Sequence, residues 1–91
     1  MKCALIGEKL GHSYSKLIHE AFGLYSYELV SLQRDRVGEF METGDFDAFN
    51  VTIPYKRTVM PYCSYISPEA QKIGSVNTVI RTQDGLHGFN T

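Results

Sequence analysis

The sequence predicts an α/β domain of three layers: a mostly parallel sheet, helices on both faces, and a C-terminal β-hairpin that adds an antiparallel strand. Three observations lead there. From Cys3 to Ile73, short apolar runs alternate with segments of helical period, the pattern of parallel strands joined by right-handed crossovers. Near the end, Gln83-Asp84-Gly85 divides two extended runs, and an Asp-Gly turn in that setting signals a hairpin. The 91 residues contain no repeat, low-complexity run or linker, so one domain over residues 1–91 is expected.

Each element has its own local warrant. Cys3-Ala4-Leu5-Ile6 stops at Gly7 and reads as a buried strand. Gly7 to Tyr14 suits a loop. Ser15 then caps a helix whose Leu17, Ile18, Ala21 and Phe22 share a face, with Gly23 as its stop. Tyr27 to Leu32 alternates as a second strand, and Val37, Phe40 and Met41 mark a helix from near Asp35 to Gly44. Phe49 to Ile53 forms a third strand. Pro54 fits the first turn of a following helix, where its missing N–H costs nothing, and Tyr55 to Ile73 reads as helical pieces broken near Pro61 and Pro68. Val76 to Arg81 and Leu86 to Asn90 make the hairpin.

Composition narrows the function. Hydrophobic residues make up 43%, aromatic residues 12% and charged residues 21%, which is globular and argues against disorder. Nine Lys and Arg against ten Asp and Glu leave a net charge of −1, with no basic footprint for nucleic acid or anionic lipid. No stretch approaches the ~20 apolar residues of a membrane span, and the apolar start is too short for a signal peptide. Cys3 and Cys63 allow one disulfide, but two buried reduced thiols in a cytoplasmic protein are expected. His12, His19 and His87 lack ligand spacing, so no metal site is expected. No G-x-G-x-x-G fingerprint occurs.

Ligands of open parallel sheets bind beyond the carboxyl ends of the strands. The segments there are Gly11 to Ser15, Asn50 to Lys56, Ser75 to Thr78 and Gly88 to Thr91. They concentrate Ser, Thr and Asn around one Lys, which suits a polyhydroxylated, carboxylated small molecule. Taken singly, Ser15 reads as an N-cap, Ser13 as a loop contact, and Asn50 and Asn77 as amides satisfying buried backbone. Lys56 alone reads as a solvated surface charge. In a helix first turn beside a polar pocket, repulsion from the helix dipole would help it exchange protons. Tyr14, Tyr55, Tyr62 and Tyr65 read as half-buried packing residues.

Four segments carry a family resemblance. These are Gly7 through His12-Ser13-Tyr14-Ser15-Lys16, Asn50-Val51-Thr52-Ile53-Pro54-Tyr55-Lys56, Gly74-Ser75-Val76-Asn77-Thr78 and Gly88-Phe89-Asn90-Thr91. In this order and spacing the chain resembles, over essentially its whole length, the N-terminal substrate-binding domain of shikimate dehydrogenases. Lys16 stands where the family usually has proline and Ala48 where it commonly has glycine; neither change removes a ligand-binding group.

The resemblance implies an oxidoreductase that interconverts 3-dehydroshikimate and shikimate with NADP, in aromatic amino acid biosynthesis. Ser13 and Ser15 would hold the substrate carboxylate, and Asn50, Thr52 and Asn77 would line the pocket. Lys56 would exchange a proton with the reacting oxygen. In the family an aspartate that pairs with this lysine follows Asn-Thr, whereas the sequence ends at Thr91. The NADP-binding domain is therefore expected outside this chain, and the 91 residues alone are expected to be inactive. A quinate/shikimate dehydrogenase domain and a stand-alone, non-catalytic binder of a hydroxylated acid are the alternatives.

Overall fold

A computed structural model describes residues 2–10 and 26–91. Strand β1 (Lys2–Gly7) is followed by β2 (Ser26–Ser31), and a 3-10 turn (Arg34–Arg36) runs into helix α1 (Val37–Thr43). Then come β3 (Ala48–Val51), a second 3-10 turn (Met60–Tyr62), β4 (Tyr65–Ile66), α2 (Pro68–Ile73), β5 (Thr78–Thr82) and β6 (Gly85–Phe89). The strands form a six-stranded sheet in the order β2-β1-β3-β5-β6-β4. β1 pairs in parallel with β2 and β3, and β4 with β6, while β5 is antiparallel to both β3 and β6. Only β5 runs against the rest, which is the mostly parallel sheet with an antiparallel hairpin strand that the sequence predicts.

Strand alternation determines where the core lies. Ala4 pairs with Phe49, Ile6 with Val51, and Phe49 with Val79, so these five side chains share one face. All are buried, and they join Val37 and Met41 of α1 and Ala70 of α2 in one cluster. Both described helices therefore cover that face. Phe40 of α1 stands edge-on to Phe49, with ring centroids 5.2 Å apart, a favoured aromatic geometry. The helix predicted from Ser15 to Gly23 lies outside the described residues, as do His12, His19 and Ser13. No helix among the described residues is long and apolar enough to cross a membrane.

Two expectations need correction. Pro54 does not open a helix: Tyr55 N–H donates to Thr52 O at 3.0 Å across a cis Ile53–Pro54 bond. Pro54 thus takes the third position of a tight turn, which suits a cis proline. Residues 55–66 are likewise turns, one 3-10 turn and a two-residue strand rather than helical pieces. Residues 55–63 close on themselves in separate turns, with Val59 N–H donating to Tyr55 O and Cys63 N–H to Met60 O, each at 3.1 Å. From Ser64 the chain turns to β6, the Ser64 N–H donating to Leu86 O at 2.8 Å. Pro68 begins a helix instead of breaking one. Ser67 Oγ accepts from Ala70 N–H at 3.2 Å, and Gly74 closes the helix at a φ of 80°, a left-handed conformation natural to glycine.

Cys3 and Cys63 are free thiols, half-buried rather than buried. Cys63 donates to Val59 O at 3.6 Å. Burial pushes both thiols above their ordinary value of 9.0. Their contribution to stability is therefore held below that value and lost as pH rises through the folded one. At about pH 8 both should alkylate more slowly in the folded chain than in urea, because the thiolate is the nucleophile. Equal rates in a timed iodoacetamide reaction would show that burial does not protect them.

Candidate functional site

Parallel pairing brings the carboxyl ends of β1 and β3 to one edge of the sheet. Because β5 is reversed, its beginning arrives at the same edge, together with the end of β6. Asn50 and Thr52, Asn77, and Asn90 with Thr91 therefore converge there, although they come from three distant parts of the sequence.

Asn77 is the hub. Its N–H donates to Phe89 O at 2.9 Å, and its carbonyl accepts from Val51 N–H at 2.8 Å. Its side-chain Oδ1 accepts from Thr78 Oγ1 at 3.0 Å, Thr91 N–H at 3.1 Å and Thr91 Oγ1 at 3.4 Å. Its Nδ2 donates to Thr91 O at 3.1 Å and Asn90 Oδ1 at 3.5 Å. Asn50 Nδ2 donates to Thr78 Oγ1 at 3.2 Å and to Asn77 O at 3.4 Å. Asn90 Nδ2 holds Ser75 through its carbonyl at 3.1 Å and its hydroxyl at 3.0 Å. In this arrangement the amides of Asn50 and Asn77 join β3, β5 and the end of β6, as the reading of each as a structural amide expects.

Thr52 and Lys56 lie in the turn that follows β3. Thr52 N–H donates to Ile6 O at 2.9 Å, fixing the turn to β1. A Cβ built on Gly7 would stand 2.6 Å from Thr52 Cγ2, so glycine is what allows β1 to end directly beneath Thr52. The Lys56 carbonyl accepts from Val76 N–H at 2.8 Å, placing it beside the residue that precedes Asn77. Two depressions flank the Ile53–Pro54 ridge. One, of about 250 Å³, is lined by Glu8, Lys9, Thr52, Ile53 and Pro54; the other, of about 310 Å³, by Ile53, Pro54, Lys56, Arg57 and Ser75. Ile53 is 76% exposed between them.

Lys56 therefore stays at the candidate site, but the helix-dipole argument for it does not apply, since no helix begins at Pro54. Its ammonium makes no ion pair among the described residues. Ser13 and Ser15 lie outside the described residues. A larger depression, of about 560 Å³ between α1 and β2, is lined in part by Lys2, Val30, Phe40 and Asp45 and contains none of the sequence-predicted residues. No group of His, Cys, Asp or Glu among the described residues could hold a metal ion.

Sequence reasoning missed Tyr55. It is fully buried, not half-buried, and its hydroxyl donates to Leu32 O at 2.7 Å. Burial, then the Glu8 carboxylate, push that hydroxyl above its ordinary value; Arg34 opposes them and Asp35 adds to them. A tyrosine directly before the candidate lysine was the available signal, because a buried tyrosine needs a hydrogen-bond partner. Asn90 and Ser75 were visible only as part of the general concentration of polar residues.

Comparison with known proteins shows the family and the fold. Residues 5–79 match the family model described as the shikimate dehydrogenase substrate binding domain. An NADP(+) shikimate dehydrogenase of Clostridium beijerinckii is 41% identical over 96% of this chain, which spans 35% of that relative's length. The crystal structure of shikimate dehydrogenase 1 from Peptoclostridium difficile matches with a TM-score of 0.83 and 37% identity, over 100% of this chain and 37% of that one. A shikimate dehydrogenase from Thermus thermophilus, solved with NADP(H) and shikimate, matches with a TM-score of 0.83 and 35% identity, over 99% of this chain and 37% of its own. With the family model covering most of its length and the same fold in these relatives, the chain belongs to the shikimate dehydrogenase substrate-binding domain family.

Proposed function

We propose that this chain is the substrate-binding domain, over residues 1–91, of an NADP-dependent shikimate dehydrogenase that reversibly converts 3-dehydroshikimate to shikimate. The observation that carries the reading is the convergence of Asn50, Thr52, Lys56 and Asn77 at the carboxyl edge of the sheet. Family membership and the Thermus thermophilus relative bound to shikimate support it. In this reading Ser13 and Ser15 hold the substrate carboxylate, while Asn50, Thr52 and Asn77 line the wall facing the ring hydroxyls.

Lys56 acts at the reacting oxygen. A hydroxyl that is being oxidised must lose its proton, and a lysine amine within reach accepts it. In the reverse direction the ammonium returns the proton and stabilises negative charge building on the carbonyl oxygen. The described residues do not fit the dinucleotide itself. α1 is reached through a 3-10 turn and α2 through Ser67-Pro68, so neither helix follows the glycine-rich turn that cradles a pyrophosphate. NADP is therefore assigned to a part of the full-length protein outside this chain. The two free thiols favour a cytoplasmic setting.

The test is a titration of the 91-residue chain with shikimate, followed by NMR. Shifts at the Thr52, Lys56 and Asn77 amides are expected, and a spectrum unmoved at millimolar shikimate would sink the reading of a formed pocket. The chain alone should show no NADP-dependent oxidation of shikimate. The full-length protein should do so and should prefer shikimate to quinate; the reverse preference would move the assignment to a quinate dehydrogenase.

A further inference from the structure

We infer that Tyr55 is the positioning residue for Lys56: its hydroxyl ties the turn carrying the lysine to the ends of β1 and β2. The inference rests on the role proposed above for Lys56. Tyr55 OH donates to Leu32 O at 2.7 Å, and Leu32 N–H in turn donates to Gly7 O at 2.8 Å. Through one side chain, the turn is thus fastened to the carboxyl ends of β1 and of the edge strand β2 beside it. The backbone of Tyr55 is held as well, its N–H by Thr52 O at 3.0 Å and its carbonyl by Val59 N–H at 3.1 Å.

The next residue is held from the opposite side, where the Lys56 carbonyl accepts from Val76 N–H at 2.8 Å. Fixing Tyr55 on one side and the Lys56 carbonyl on the other sets the direction in which the Lys56 side chain leaves the backbone. The depression lined by Lys56 and Ser75 lies next to this point. The ring is fully buried, with the Arg34 guanidinium 5.8 Å from its centroid. Its hydroxyl stays protonated, since burial and Glu8 oppose ionisation, and it therefore remains a donor. A buried aromatic ring that stopped at packing would not need that bond, so Tyr55→Phe separates the tether from the packing.

The experiment is a double-mutant cycle in the full-length protein, with shikimate and NADP as substrates. Tyr55→Phe is expected to lower kcat about tenfold, since a small misplacement of a reacting group is costly, and to leave KM within about twofold. In the Lys56→Ala background the same change should have less than about a twofold effect, because a residue that acts through the lysine has nothing left to position. Equal losses in both backgrounds would overturn the positioning role in favour of a general structural one, as would a Tyr55→Phe protein that no longer saturates with shikimate. Wild-type kcat in Tyr55→Phe beside an inactive Lys56→Ala would overturn the tether and leave the proposed function standing. Full turnover in Lys56→Ala would overturn both.

Discussion

Replacing Lys56 with alanine in the full-length protein is expected to lower shikimate turnover by about 10²–10⁴-fold, the usual contribution of a positioned acid–base group. KM should change far less, because the lysine serves the transition state more than the bound substrate. The position suits that split. Lys56 follows a buried, tethered tyrosine, and its carbonyl is bonded beside Asn77, yet its ammonium is engaged in no ion pair among the described residues. Lys56→Arg should fail to restore turnover, since a guanidinium keeps its charge at every working pH and cannot accept the proton. Steady-state kcat and KM for the three proteins decide the matter. Unchanged kcat in Lys56→Ala would remove the residue from the chemistry, and recovery in Lys56→Arg would reduce its part to charge alone.

The largest effect on stability should come from Phe49→Ala, at about 3–5 kcal/mol. Phe49 is 2% exposed, pairs with Ala4 on one side and Val79 on the other, and meets the Phe40 ring edge-on. A domain of this size has only about 5–15 kcal/mol to lose, so the variant should be partly unfolded at growth temperature. The neighbouring residues on β3 and its following turn are Asn50 and Thr52, so shikimate binding should fail with the fold. Urea denaturation measures the loss, with Ile80→Ala, at a 42% exposed position, as a control expected to change stability by about 0.5 kcal/mol or less. Equal losses in the two variants would show that the core is not organised around Phe49.

Where structure is set by near neighbours, the sequence was sufficient. β1, α1 and the hairpin follow from runs of a few residues whose pattern matches the period of the element they form. α1 even ends at the expected Gly44, whose N–H donates to Phe40 O at 2.8 Å. Residues 55–66 were less legible: the isolated turns of residues 55–63 use the same short-range bonds that a helix would, and residues 64–66 find their partners on β6, some twenty residues away, which local propensity does not report. Pro54 satisfies a helix start and a tight turn equally well as a residue type, so only the chain's path decides between them. At the candidate site the residue types were legible and the connections were not. The sequence marks Asn50, Asn77 and Lys56 as polar groups at or just beyond strand ends, but that Asn77 joins three strand ends depends on β5 lying between β3 and β6.

The reversed direction of β5 also separates what can be altered in this domain from what cannot. The hairpin closes between Thr82 and Gly85 through the exposed Gln83 and Asp84, and the five residues of β5 carry that tip roughly 17 Å from the amide cluster. Exposed loop tips of this kind accept inserted sequence. A fluorophore or affinity tag between Gln83 and Asp84 would disturb chiefly the turn's own bonds, from Asp84 N–H to Thr82 Oγ1 at 3.1 Å and from Thr82 Oγ1 to Gly85 O at 3.0 Å, and the 2.9 Å bond from Ser64 Oγ to Asp84 O, provided Gly85, at a φ of 116°, is kept. The far end of the sheet is thus a natural handle for reporting on shikimate without touching the residues that would bind it.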